Sequence, residues 1–167
     1  MTHIRILFLT LAVVALAAVA IGSTAAAGGR AQGDIVATAS SAGQFKTLTM
    51  LLKRAGLVRA LEQAGPYTVF APTDAAFGKV PKATLSALLQ DKAKLKSVLL
   101  YHVVAGKVTA AKVVKLRQAK TLNGQRVRIR TSGSNVFLNG ARVTTPDVMA
   151  SNGVIHVVNR VLIPPTA

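Results

Sequence analysis

The chain has 167 residues, 51% of them hydrophobic but only 4% aromatic, with no cysteine and no tryptophan. This length favours one domain with a single core built from Val, Leu, Ile and Ala, and the absence of thiols excludes a disulfide framework, a zinc-thiolate site and a cysteine nucleophile. Twenty-one Lys and Arg against five Asp and Glu give a formal charge of +16, which bears on partners rather than on fold.

Residues 1–27 carry His3 and Arg5, an apolar run over 6–21, and then small residues with Ala25 and Ala27 in an A-x-A arrangement. This is the pattern of a secretory signal peptide cleaved near Ala27. The rival reading is a retained anchor, for which a run of sixteen residues, all apolar but Thr10, is just short of a comfortable bilayer span. Cleavage removes Arg5 and leaves twenty basic against five acidic residues, a charge of +15 on 140 residues. A domain of that size folds on its core alone, so an exported chain without disulfides fits a bacterial origin better than an animal one.

Residues 28–33 form a glycine-rich flexible leader, and the ordered domain, 34–165, is expected to start with Asp34 capping a helix over 35–39. Phe45, Leu48, Leu51, Leu52 and Ala55 then recur at helical spacing up to a C-terminal Gly56, and a short helix over 58–63 follows. The stretch GPYTVFAPTDAAF at 65–77 reads as a strand handing over to a helix. Tyr67, Val69 and Ala71 lie on one face of that strand and Phe70 on the other, which places it deep in the domain. Thr73 or Asp74 caps the helix after it, and Asp74 alternatively presents a polar group to a partner. Pro81 precedes a helical run with Leu85, Leu88 and Leu89, and Asp91 caps another with Leu95, Val98 and Leu99 as its apolar stripe. Lys92, Lys94 and Lys96 fall mostly outside that stripe and read as a solvated face.

YHVV at 101–104 reads as extended, Gly106 ends it, and Thr109 caps a short helix through Val113 and Val114. Asn123-Gly124, the segment 132–135 and Asn139-Gly140 are turn signals between β-rich runs, which gives an antiparallel meander. In RVRIR, Val127 and Ile129 point one way while Arg126, Arg128 and Arg130 point the other. Asn152-Gly153 leads into an apolar strand over 154–163 that Pro164-Pro165 blocks. Helices ahead of a run of antiparallel strands define an α+β class.

Three stretches, GPYTVFAPTDAAF at 65–77, YHVV at 101–104 and NGVIHVVNRVLIPP at 152–165, stand in an order and at spacings that resemble a fasciclin (FAS1) domain. The resemblance covers about 34–165. It implies a twisted antiparallel β-sandwich or wedge with helices packed against it, the first-box strand lying beside the second-box strand. It also implies a non-enzymatic extracellular adhesion or ligand-binding module. In animal fasciclin domains the pair corresponding to Tyr101-His102 is implicated in integrin-mediated adhesion; a helix-to-strand structural role is preferred here, since integrins have not shaped a bacterial protein.

The nucleophile-elbow, metalloprotease, P-loop and dinucleotide fingerprints are missing. Beyond the leader the only carboxylates are Asp34, Glu62, Asp74, Asp91 and Asp147, and the only histidines, His102 and His156, are 54 residues apart and read as structural. No catalytic residue, metal site or cofactor is expected. The cationic excess points to an anionic envelope polymer, a polysaccharide, an extracellular protein or, peripherally, lipid headgroups. Nucleic acid ranks last, because the chain reads as exported and lacks aromatic stacking platforms. The leading expectation is a secreted adhesion or envelope-binding module with Arg126, Arg128 and Arg130 as its anionic-partner row. The alternative is a soluble carrier of an apolar ligand, a lipid or pigment, held between helices and sheet.

Overall fold

A computed structural model describes residues 32–63 and 65–165. The expected signal peptide, and most of the expected leader, lie outside the described residues. Seven helices and seven strands follow one another: α1 (Ile35–Ser41), α2 (Lys46–Ala55), α3 (Val58–Glu62), β1 (Tyr67–Pro72), α4 (Asp74–Gly78), α5 (Lys82–Gln90), α6 (Lys92–Tyr101), β2 (Val103–Ala105), α7 (Ala110–Val113), β3 (Gln118–Lys120), β4 (Arg126–Ser132), β5 (Asn135–Leu138), β6 (Ala141–Ala150) and β7 (Gly153–Val158).

The strands form one sheet in the order β2-β1-β7-β6-β5-β4-β3. The sheet curls until its two ends touch, through a bridge between Val104 and Thr121 and a 2.7 Å bond from the Leu122 amide to the Val103 carbonyl. The expected α+β wedge is present, and its first-box and second-box strands are neighbours. Their pairing is parallel, however, whereas every other strand pair is antiparallel. The crossover from β1 to β7 contains the entire meander, so the two strands meet running the same way.

Two apolar clusters flank the sheet. On the helical side Val69, Ala71, Ile155 and Val157 pack under Leu48, Leu51, Leu52, Leu95 and Leu99. Inside the curl Phe70, Val127, Ile129, Val136, Leu138 and Val158 pack together, joined by Tyr101, Val113 and Leu162. Val69 lies opposite Ile155, and Phe70 lies opposite His156 and stacks on its ring at 5.6 Å. At Gly153 the strands approach so closely that a Cβ would strike the Tyr67 carbonyl, which requires glycine there.

Local chemistry sets most helix ends. Asp34 accepts from the Ala37 amide at 2.8 Å, Asp91 accepts from Ala93 and Lys94, and Gly56 closes α2 with φ of 70°. At one cap the structure chooses between the two candidates of the sequence reading, and at another it departs from it. Thr73 caps α4 through the Ala76 amide, while Asp74 reaches back to α2 and accepts from Thr47 at 2.7 Å and Lys46 at 3.3 Å. Thr109 makes no side-chain cap for α7; the Ala110 amide donates instead to Asp147 at 2.8 Å. Both carboxylates cap across the fold, which sequence spacing cannot show.

Two element boundaries also differ. Tyr101 is the last residue of α6 and His102 its C-terminal cap, so extension begins only at Val103. The ring of Tyr101 fits the interior of the curl only from the helix end, and that packing overrides its β preference. β7 ends at Val158, not at 163, because Asn159 turns away, its side chain accepting from the Arg142 amide at 2.9 Å.

Candidate functional site

Strand β4 alternates buried and exposed residues, with Val127 and Ile129 in the curl and Arg126, Arg128 and Arg130 outside. The three side chains are spaced about 6 to 7 Å apart along the strand, within one Debye length of about 8 Å at physiological salt. Strand pairing widens the row into a face. Arg126 lies opposite Lys120, Arg128 opposite Gln118, Arg130 opposite Phe137, and Phe137 opposite Arg142. Half-exposed Phe137 therefore sits between two arginines. Beside it Arg128, Arg130, Thr131, Ser132 and Asn139 line an open groove of about 470 Å³.

Tyr101 supports this face from beneath. Its hydroxyl donates to the Arg126 carbonyl at 3.2 Å and accepts from Asn139 Nδ2 at 2.6 Å, while Asn139 Oδ1 accepts from the Arg128 amide at 3.0 Å. The phenol thus fixes the backbone that carries the arginines, a connection between two expected features that the sequence did not reveal. His102 takes no part in this network. Its Nδ1 donates to the Val98 carbonyl at 2.8 Å and its Nε2 accepts from the Leu162 amide at 2.9 Å, one neutral tautomer satisfying both. Tyr101 and His102 are 1% and 2% exposed, so as folded neither ring presents a surface to a partner.

The electrostatics of the outer face follow from where the acids went. Asp34, Asp74, Asp91 and Asp147 each accept backbone amides at the N-termini of α1, α2, α6 and α7. From residue 92 to 146 the chain carries twelve Lys and Arg and no carboxylate. The positive field over β3–β5 and the start of β6 is therefore not balanced within that stretch, Asp147 later in β6 being bonded to the first amide of α7.

Both histidines are kept neutral. Burial pushes His102 down to about 4, against the Val98 bond that favours its proton. Burial also lowers His156, opposed by its bond to Val108 and by the charge of Asp147. Burial alone would raise Asp74, but hydrogen bonds from Thr47 and Lys46, and the Lys46 charge, outweigh it and lower the carboxyl. The described His, Asp and Glu side chains form no cluster of three that could hold a metal ion.

Sequence reasoning missed Phe137, Asn139 and Arg142. The alternation in NVFL, with Val136 and Leu138 buried, was a signal that Phe137 faces outward. Nothing in the chain's order shows that Arg142 stands beside it, because that depends on register.

A fasciclin domain model matches residues 43–164. The chain is 44% identical over 133 residues to protein sll1483 of Synechocystis, covering 78% of this chain and 73% of that one. It is 37% identical over 142 residues to immunogenic protein MPB70 of Mycobacterium bovis, covering 82% and 72% respectively. Among solved structures, a FAS1 domain pair from the insect cell adhesion molecule fasciclin I superposes with a TM-score of 0.60 at 20% identity. That alignment covers 75% of this chain and 47% of the insect one, so this chain spans about half of the pair. Matched over most of its length by the family model, and sharing the fold with that pair, the chain belongs to the fasciclin domain family.

Proposed function

We propose that this protein is a secreted, non-enzymatic adhesion module that attaches to an anionic polymer of the cell envelope or surrounding matrix through the outer face of β3–β6. The observation that carries this reading is the arginine row Arg126, Arg128 and Arg130, extended by Lys120 and Arg142 across paired strands, in a stretch from 92 to 146 that carries no carboxylate. A rigid sheet presents these charges at fixed spacing, which suits a repeating polyanion better than a compact ligand. Phe137, set between Arg130 and Arg142, adds an apolar surface on which a sugar ring can rest. The groove is lined by Arg, Thr, Ser, Phe, Asn and Gly. It holds no carboxyl, imidazole or thiol placed to act as a general acid or base.

The carrier alternative gains no support from the packing. The apolar space between α5, α6 and the sheet, lined by Leu51, Phe77, Leu88 and Val98 among others, has about 10 Å³ free. That is roughly the room one water needs.

The test is retention of the secreted protein on an immobilised acidic polysaccharide across a salt gradient. Replacing Arg126, Arg128 and Arg130 together with Gln should leave the fold intact and cause earlier elution than replacing Lys92, Lys94 and Lys96 does. Equal losses from the two triple variants would reduce the effect to overall charge. Retention indifferent to salt would overturn the electrostatic reading.

A further inference from the structure

We infer that the seam where the curled sheet closes, which adjoins the arginine face at Lys120, is a docking edge for an anionic lipid bilayer. Five large hydrophobic residues stand well exposed among the described residues, and three of them, Val114 at 47%, Leu116 at 39% and Leu122 at 40%, belong to this edge. Leu116 and Leu122 line an open groove of about 660 Å³ with Ala105, Val108 and Lys120. Val114 follows directly in the turn that leaves α7.

The backbone here is prepared for an apolar surrounding. The amide of Val114 donates to the Ala110 carbonyl at 3.0 Å, that of Lys115 to Lys112, that of Leu116 to Val113 and that of Leu122 to Val103. Donors already bonded within the protein carry no desolvation penalty on entering the headgroup boundary. Exposed apolar side chains whose own amides are already bonded can therefore be inserted.

Charge selects the kind of surface. Lys107, Lys112, Lys115, Arg117 and Lys120 are exposed in the same segment, which carries no carboxylate of its own; Asp147 reaches it from β6 and is bonded to the Ala110 amide, one acid against five cations. A second copy of this chain packed edge to edge would bring these cations together, which disfavours self-association. A dissolved polyanion would engage the cations and leave the leucines in water. An anionic bilayer satisfies both, the cations at the headgroups and Val114, Leu116 and Leu122 at the acyl boundary. Among the described residues no helix is long and apolar enough to cross a membrane, so the docking is peripheral.

The chain contains no tryptophan, so Leu116→Trp introduces a single fluorescent reporter at the edge. With vesicles of phosphatidylcholine containing phosphatidylglycerol, its emission should shift to the blue and be quenched by brominated acyl chains. With phosphatidylcholine alone, or with a dissolved acidic polysaccharide, it should not shift. Replacing Val114, Leu116 and Leu122 with Gln should weaken sedimentation with the anionic vesicles by about tenfold, with unchanged circular dichroism. Replacing Arg126, Arg128 and Arg130 with Gln should weaken it by less than that, which keeps this edge distinguishable from the arginine face. Overturning results are no binding to anionic vesicles, binding without a spectral shift at position 116, or a larger loss from the arginine variant than from the apolar one. If the apolar triple variant does not fold, the Leu116→Trp spectra decide alone.

Discussion

β7 and β4 lie in the same sheet and differ by one residue in length, yet all six residues of β7 are buried while β4 alternates buried and exposed. The difference is what covers them. β7 lies between β1 and β6 with the helical layer on one face and the interior of the curl on the other. β4 has the curl on its inner face only, so every second side chain is released to solvent. Burial on two faces commits a strand to holding the fold, whereas burial on one leaves a face on which charge can be arranged at little cost. This is why the histidine of β7 is a packing element stacked on Phe70 and the arginines of β4 face solvent.

The comparison would break first at Phe70, which is 1% exposed and belongs to the inner cluster. Phe70→Ala should cost about 3 to 5 kcal/mol in denaturant unfolding. A loss below about 1 kcal/mol would show that the two-faced region tolerates truncation as a surface does.

Acid should sharpen the contrast, since the neutral histidines belong to the buried region. The unfolded His102 ring takes a proton near its ordinary 6.5, while the folded ring resists until about 4. Its contribution is therefore whole above pH 6.5 and lost progressively as the pH falls towards 4, on the order of 3 kcal/mol in all. His156, also lowered by burial, acts in the same direction. Unfolding free energies across that window should show the decline, and His102→Gln should flatten it. A flat profile in the unaltered protein would mean the rings are not kept neutral.

A smaller effect is expected at Asp74, which ties the turn after β1 to the start of α2. Asp74→Ala should cost about 1 kcal/mol and expose the first turn of α2 to faster amide exchange. Thr73→Ala should perturb α4 instead, because Thr73 caps that helix. The smallest change belongs to the released face: Gln at Arg126, Arg128 and Arg130 should alter unfolding free energy by no more than about 0.5 kcal/mol per site. A larger loss would mean that β4 carries stability through its outer face as well.

Much of this was legible because it is local. Asp34, Asp91 and Gly56 set helix ends through amides within four residues of themselves, and the period of two in RVRIR assigned Arg126, Arg128 and Arg130 to one face before any partner strand was known. What escaped the reading was long-range. Asp74 caps a helix that begins 28 residues earlier, and Asp147 caps one 37 residues away. Asn152 gathers the Ile35 amide with the carbonyls of Leu61 and Gln63 from the far side of the chain.

The sequence by itself therefore determined most of the elements, the two faces of β1 and β4, the class of the fold and the sign of its surface, because propensity, periodicity and charge are properties of neighbouring residues. Only the tertiary structure decided that β1 and β7 run parallel, that Phe137 stands between Arg130 and Arg142, and that Tyr101 holds the strand carrying the arginine row. Strand order and register are fixed by which apolar faces close over one another, and that choice is made by the whole chain at once.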